Sequence, residues 1–312
     1  MRIAFTYGHG SGNAFPIVDA RALALAEADW AAVARALADR DGAVGSDGLL
    51  ALTEGVGGAA FGFRMWNSDG SEAETCLNGL RLVARMGFAA LGIEEATVSL
   101  KTSTAEVARD ADLAPGVYTV RERAGPAGLD AGAWPLAGAT RVVEAPVAQL
   151  GPRRFTAVAM PNPHLVSLVD TIDEAELLGL WGACEVAPDW LPNRANISFV
   201  RMTDDGLFVR TAERGVGLTD SCGSAMAAST YAAALTGRVP FGREIIVRNR
   251  GGLVRAQADA DAMVTLCGNA TFEWQGEAEI DLVAARVTEV RVARRFEDEA
   301  AAWQAAIAQP GA

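Results

Sequence analysis

Short runs of alternating apolar and polar residues occupy most of this chain, and a helical period replaces them at a few places only. Residues 1–5 and 15–18 read as strands on either side of a polar turn, His9-Gly10-Ser11-Gly12-Asn13. Residues 27–39 place Trp30, Val33, Ala34 and Leu37 on one face, which is the spacing of an amphipathic helix. Residues 42–47 break that period, and residues 49–53 and 61–66 resume as strands. A helix beginning at Cys76 and running through Arg85 follows, then strand-like runs to about residue 121. The stretch 124–139 is rich in Gly, Ala and Pro and reads as a domain boundary.

Beyond the boundary the order recurs. Strands to residue 168 precede a helix at 173–180, strands at 197–202 and 207–213, and an Ala-rich helix headed by Cys222. Strands at 244–248, 252–258 and 263–268 close this half. Residues 271–280 can pair back onto the first domain, and Phe296, Ala300, Trp303 and Ile307 share one face of a terminal amphipathic helix. The expected organisation is a domain over 1–124 completed by about 269–281, a second over 125–268, and an extension over 282–312.

The recurrence extends to individual residues. Asn67 precedes Cys76 by nine positions and Glu213 precedes Cys222 by nine, and each cysteine opens a helix. Gly12-Asn13-Ala14-Phe15-Pro16-Ile17-Val18-Asp19 is echoed by Asn162-Pro163-His164-Leu165-Val166-Ser167-Leu168-Val169-Asp170. Two related halves therefore each offer one thiol at a helix N-terminus. Unpaired N–H groups and the positive end of the dipole lie there, so a thiolate, on Cys222 for example, is favoured and an anion can bind beside it.

Composition narrows the chemistry. The 312 residues suffice for two domains with a substantial core each, and half are hydrophobic. A formal charge of −12 excludes nucleic acid or an anionic membrane surface as the main partner. No signal-peptide pattern and no membrane-length apolar run is present, which places the chain in the cytoplasm with Cys76, Cys184, Cys222 and Cys267 reduced. No Cys-x-x-Cys pair suggests zinc, and Lys101, the only lysine, reads as a solvated strand residue rather than a Schiff-base amine. Cys184 and Cys267 lack the repeated context and read as core. Two opposed thiols can remove a proton from one face of a carbon and return one to the other, a cofactor-free racemisation or epimerisation.

These blocks closely resemble those of diaminopimelate epimerases. The resemblance rests on His9 to Asn13, the block from Asn67 to Gly79, Asn162-Pro163-His164, the asparagine Asn196 before a strand, and Glu213 to Ser224, and it runs to about residue 280. It implies an α/β (α+β) fold of two pseudo-symmetric domains, each a curled β-sheet or barrel around a central helix, with the active site in the interdomain cleft. It also implies interconversion of LL- and meso-2,6-diaminoheptanedioate for lysine and peptidoglycan biosynthesis, no metal or organic cofactor, a small-molecule substrate and a homodimer. Cys76 and Cys222 become the acid/base pair, with His164 and Glu213 supporting catalysis. Asn13, Asn67, Asn162, Asn196, Glu213 and Arg214 hold substrate, and Leu77, Asn78, Gly223 and Ser224 line the carboxylate pocket.

Several positions depart from the family pattern. Leu77 replaces a glycine, Ala14 an aspartate and Leu218 a glutamate, Gly48 stands where many members have glutamine, and Ala225-Met226 replaces Gly-Ala. Two alternatives therefore stay open from the sequence: a racemase of another amino acid, of the proline or hydroxyproline type, and a binding or thiol-redox relative that has lost epimerisation.

Overall fold

The computed structural model describes residues 1–308, so the last four residues of the expected extension lie outside the described residues. The chain divides into two compact units. Of the described residues, one comprises Met1–Glu122 together with residues 267–308, and the other comprises Arg123–Leu266.

The first unit opens with β1 (Arg2–Gly10), β2 (Asn13–Asp19), α1 (Glu27–Ala38), β3 (Gly48–Glu54), β4 (Phe61–Asn67) and β5 (Glu72–Ala73). Then come α2 (Leu77–Leu91), β6 (Glu95–Ser99), β7 (Thr104–Asp110) and β8 (Thr119–Ala124). β2 runs parallel to β3, β3 antiparallel to β4, and β4 parallel to β6. β3 shows why the sheet curls between two helices. Leu50 and Leu52 join Phe15, Ile17, Leu80, Val83 and Phe88 in a core around α2, while Leu49 and Ala51 join Trp30, Val33, Leu37 and Trp66 in a second core under α1. A strand covered on both faces reads as an unbroken apolar run, as 49–52 does.

The second unit contains β9 (Ala145–Pro146), β10 (Arg154–Ala159), β11 (Pro163–Leu168), α3 (Glu174–Glu185), β12 (Asn196–Thr203), β13 (Gly206–Glu213) and β14 (Gly217–Thr219). It closes with α4 (Gly223–Leu235), β15 (Ile245–Asn249), β16 (Gly252–Ala258) and β17 (Val264–Asn269). Its pairings repeat those of the first unit: β11 parallel to β12, β12 antiparallel to β13, β13 antiparallel to β14, and β13 parallel to β15. The fold is thus α/β with an internal repeat, and α2 and α4 are topological equivalents. α4 is buried on nearly every side, from Ala225 through Ala234. Small side chains let the sheet close upon it, and a helix apolar all round belongs in a core.

The chain then returns to the first unit. β18 (Thr271–Asp281) pairs antiparallel with β1, from Arg2 opposite Glu279 to His9 opposite Thr271. β19 (Arg286–Arg295) pairs with β18, and α5 (Glu297–Ile307) buries Trp303 and Ala306. The β19 strand has no clear signal in the sequence. Register shifts at Gln275/Gly276 and Glu279/Ile280 of its partner, together with solvent exposure of most of its side chains, interrupt the alternation by which a strand is recognised. Lys101 lies in the turn between β6 and β7 rather than within a strand, ion-paired to Glu72 at 3.2 Å and exposed. Cys184 and Cys267 are buried, as a core reading requires.

Candidate active site

In the first unit, the hairpin between β1 and β2 turns on Ser11 and Gly12, both with positive φ (52° and 82°). Such a turn suits the twist of adjoining strands but is unusual for serine. Ser11 is held in it from both ends. Its N–H donates to Asn269 Oδ1 at 2.7 Å, and its hydroxyl accepts from Arg81 Nη2 at 3.2 Å. His9 completes the turn by accepting the Gly12 N–H on Nδ1 at 3.2 Å. Gly10 lets β1 pass close to α2, since a Cβ there would lie 2.5 Å from the Asn78 carbonyl oxygen.

The turn delivers Asn13. Its Nδ2 donates to Asp47 Oδ2 at 2.6 Å, and that carboxylate also accepts the Ala14 N–H at 2.8 Å. Asn13 Oδ1 thereby faces the thiol of Cys76 at 3.8 Å. Cys76 is the N-cap of α2, in extended conformation, and its sulfur accepts the Gly79 N–H at 3.4 Å. Leu77 occupies the first helical position half-buried. Asn78 is buried and accepts from Arg81 Nη2 at 2.8 Å. Asn67, at the exposed end of β4, bonds Ser71 at 3.0 Å and has no described contact with Cys76.

Arg81, Glu122, Asp47 and Asn269 were not singled out by sequence reasoning. Arg81 and Glu122 are fully buried and paired at 2.7 Å. Arg81 also donates to Asn269 O at 3.1 Å. Burial pushes the Glu122 carboxyl up to about 7, against the downward pull of Arg81. No local signal marked this network: α2 carries Arg81 and Arg85 alike, and only complete burial, which makes a guanidinium need a partner, sets Arg81 apart.

In the second unit, the parallel pairing of β11 with β12 sets His164 opposite Asn196. His164 is wholly buried, and burial together with the charge of Arg214 pushes its pKa down to about 3. The imidazole is therefore neutral. With Nε2 donating to Asn162 Oδ1 at 3.1 Å, its Nδ1 is a buried acceptor that no hydrogen bond satisfies among the described residues. Asn196 takes the Arg214 N–H on Oδ1 at 2.9 Å, and its Nδ2 is a buried donor in the same condition. Buried polar atoms left in this state cost about 1–3 kcal/mol each, and here a donor and an acceptor lie on neighbouring strand positions.

Glu213 ends β13, where Gly215 (φ 77°) and Gly217 (φ 95°) form the hairpin into β14. Thr219 Oγ1 donates to Glu213 Oε1 at 2.6 Å, and Trp181 Nε1 donates to its carbonyl at 2.9 Å. Arg214 donates from Nη1 to Asn193 O at 3.1 Å. Cys222 is the N-cap of α4, and its sulfur lies 3.5 Å from Ser224 Oγ, with Gly223 buried between them in sequence. The thiol departs from the expected thiolate. Burial, reinforced by the nearby carboxylate of Glu213, raises its pKa well above the ordinary value and outweighs the helix N-terminus. No helix among the described residues is long and apolar enough to cross a membrane.

Comparison with known proteins places this geometry. A sequence model of the family described as diaminopimelate epimerase matches residues 5–112 and 156–273. The diaminopimelate epimerase of Listeria monocytogenes is 35% identical over 288 residues, covering 86% of each chain. That of Erythrobacter litoralis is 36% identical over 281 residues, covering 88% of this chain and 98% of its own. Among solved structures, a predicted epimerase from Pseudomonas aeruginosa superposes with a TM-score of 0.65 at 17% identity, over 89% of this chain and all of the other. A hydroxyproline epimerase from Agrobacterium vitis, with trans-4-hydroxy-L-proline bound, gives 0.61 at 14% identity over 90% and 92% of the two chains. At such identities these structures share the fold alone. The family model and the curated relatives together cover most of the chain, and the chain belongs to the diaminopimelate epimerase family.

Proposed function

We propose that this protein interconverts LL- and meso-2,6-diaminoheptanedioate without a cofactor, with Cys76 and Cys222 as the acid/base pair. One observation carries the reading: each cysteine is the N-cap of a helix, and the two helices hold the same topological position in the two repeats. In a family of epimerases, that duplication supplies one thiol for each face of one α-carbon.

The chemistry follows from the local groups. An amino-acid α-proton is weakly acidic, so its removal needs a base in place and charge stabilisation at the adjoining carboxylate. The first-turn N–H groups of α2 and α4 are the donors suited to that carboxylate. Cys222, held as a thiol by its burial and by Glu213, is the acid in the resting protein. Cys76, with an N–H bond to its sulfur, then serves as base, and the roles exchange in the reverse direction. His164, neutral and bonded to Asn162, orients that asparagine rather than carrying a proton. Asn196 and His164 offer their unsatisfied Nδ2 and Nδ1 to the far end of the substrate, beside the charges of Glu213 and Arg214. Asn13 and Asn67 are proposed substrate contacts from the first unit, with Leu77, Asn78, Gly223 and Ser224 about the carboxylate. The reading carries with it a place in lysine and peptidoglycan biosynthesis, in the cytoplasm, as a homodimer.

The test is incubation of reduced protein with LL-diaminopimelate in deuterium oxide, following α-proton exchange and formation of the meso form. Exchange with epimerisation in the parent, and epimerisation lost by at least about a thousandfold in Cys76→Ala and in Cys222→Ala, is the expected result. A folded, reduced parent that exchanges proline or hydroxyproline instead, or exchanges nothing, would reject it.

A further inference from the structure

The match to the family model ends at residue 273, yet the chain continues through β19 and α5, and α5 is fastened to elements of the Cys76 site. Glu299 receives a two-point bond from Arg85 of α2, at 2.5 and 2.8 Å, and accepts the Phe272 N–H at 3.2 Å. Arg85 itself lies over the rings of Tyr118 (4.3 Å) and Phe272 (3.9 Å) and donates to Ala270 O at 2.7 Å. A guanidinium so enclosed is a firm anchor, because stacking and bidentate bonding fix its plane. Four residues after Glu299, on the same helical face, Trp303 is 2% exposed and its ring centroid lies 5.5 Å from that of His9.

We propose that Trp303 is a positioning residue of the Cys76 site: by covering His9 it keeps the hairpin turn of Ser11 and Gly12 in the form that presents Asn13 to the thiol. The proposal rests on the two-thiol reading above for its consequence in catalysis, and on geometry for its mechanism. Ser11 N–H donates to Asn269 Oδ1, which fixes the orientation of that amide, and its Nδ2 donates to Thr271 Oγ1 at 2.8 Å and to the His9 carbonyl at 3.1 Å, with His9 Nδ1 3.3 Å away. His9 Nδ1 accepts the Gly12 N–H. It can accept that bond only while the ring is neutral with its proton on Nε2. A proton on Nδ1 would set N–H against N–H and open the turn.

The groups facing His9 pull in different directions. Glu273 Oε1 on β18 lies 3.8 Å from Nε2 and favours the imidazolium, whereas the charge of Arg81 on α2 opposes it. Burial decides, and it holds the pKa down to about 4. Trp303 is the large side chain that α5 contributes to that burial.

The chain holds only two histidines, so proton NMR of their ring C2–H signals resolves His9 once the His164→Asn protein assigns the pair. Three variants are compared with the parent: Trp303→Phe, Trp303→Leu and Trp303→Ala. In the Ala and Leu proteins the His9 midpoint should rise from about 4 toward the ordinary 6.5. Their kcat for α-proton exchange should stay within about twofold of the parent at pH 7 and fall about fourfold at pH 6 as His9 takes up its proton, with KM moving less. Trp303→Phe, which keeps a ring over His9, should hold both near parental values. Leu guards against an Ala protein that fails to fold. A folded Leu or Ala protein whose His9 still titrates near 4, or whose kcat and pH profile match the parent, overturns the proposal. The titration reads the turn itself, so it decides even if diaminopimelate proves not to be the substrate.

Discussion

Replacing Arg81 by methionine removes the one cation that faces Glu122 among the described residues while keeping a flexible apolar stem of similar length. Glu122 is fully buried, its Oε1 bonded to Arg81 at 2.7 Å and its Oε2 without a partner among the described residues. Losing one member of a buried ion pair costs about 3–5 kcal/mol, because the other is left uncompensated. Ser11 Oγ, Asn78 Oδ1 and Asn269 O lose their bonds to the guanidinium as well, which sets the expectation at the upper part of that range. A pH signature separates this mechanism from lost packing. The Glu122 carboxyl already lies at about 7 through burial, with Arg81 drawing it down. Without Arg81 it moves higher still. A carboxyl whose folded pKa is raised binds its proton more tightly in the native state. That contribution is complete below the unfolded value, near 4.5, and is lost as pH rises through the folded one. Each further unit of upshift therefore costs about 1.4 kcal/mol more at high pH. Urea unfolding at pH 5.5 and pH 8.5 measures both quantities. Arg81→Met should fall further below the parent at pH 8.5 than at pH 5.5, and adding Glu122→Gln should abolish that difference while recovering part of the loss. A loss under about 1 kcal/mol, or one that does not grow with pH, would refute the argument.

Acid should act through the histidines in the opposite sense. His9 and His164 have native pKa values pushed down to about 4 and about 3 by burial, so below 6.5 the unfolded chain takes up protons that the native one refuses. Each should withdraw up to about 2.7 kcal/mol of stability between pH 6.5 and pH 4.5; a C2–H midpoint above 5.5 for either ring in the native protein would contradict this. Restoring the glutamine common in the family should fail at Gly48, because a Cβ there would lie 2.2 Å from the Trp66 carbonyl oxygen across β3 and β4. Gly48→Gln should lose about 2 kcal/mol or more and gain no activity, measured by thermal melting and the exchange assay.

The repeat was legible because it is written in residue types with few alternative meanings. A cysteine followed by a helical run, preceded nine positions earlier by a polar residue, occurs once in each half, and both prove to be N-caps of equivalent helices. That α4 is a helix was legible in its alanines, whereas a central helix was implied by the family resemblance; its small side chains are what allow it to be covered on every side. Charge states were not. The helix N-terminus argued for a thiolate on Cys222, but that field acts over a single turn, whereas the burial opposing it and the turn of the chain that brings the Glu213 carboxylate near the sulfur are set by the fold. The same limit hid the Arg81 network. Arg81 and Glu122 are 41 positions apart, Arg81 and Asn269 are 188, and nothing local distinguishes these residues from solvated ones.

Trp303 illustrates how a residue at a periodic position can acquire a role its period does not express. Its spacing with Phe296 and Ala300 announces a helix face and nothing more, and an amphipathic helix after a complete repeat reads as an ornament. The distinction lies in the partners of that face. Glu299 reaches Arg85 on the helix that Cys76 caps, and Trp303 reaches the ring that holds the turn of Asn13. Both contacts are made to side chains more than 200 positions earlier, so they arise only because β18 returns antiparallel to β1 and carries the end of the chain back beside its beginning. An extension attached by that strand has few places to pack except against the elements β1 leads into. Its contact with the Cys76 site is thus a consequence of where β18 pairs, and changes in the final helix should be felt first at the His9 turn.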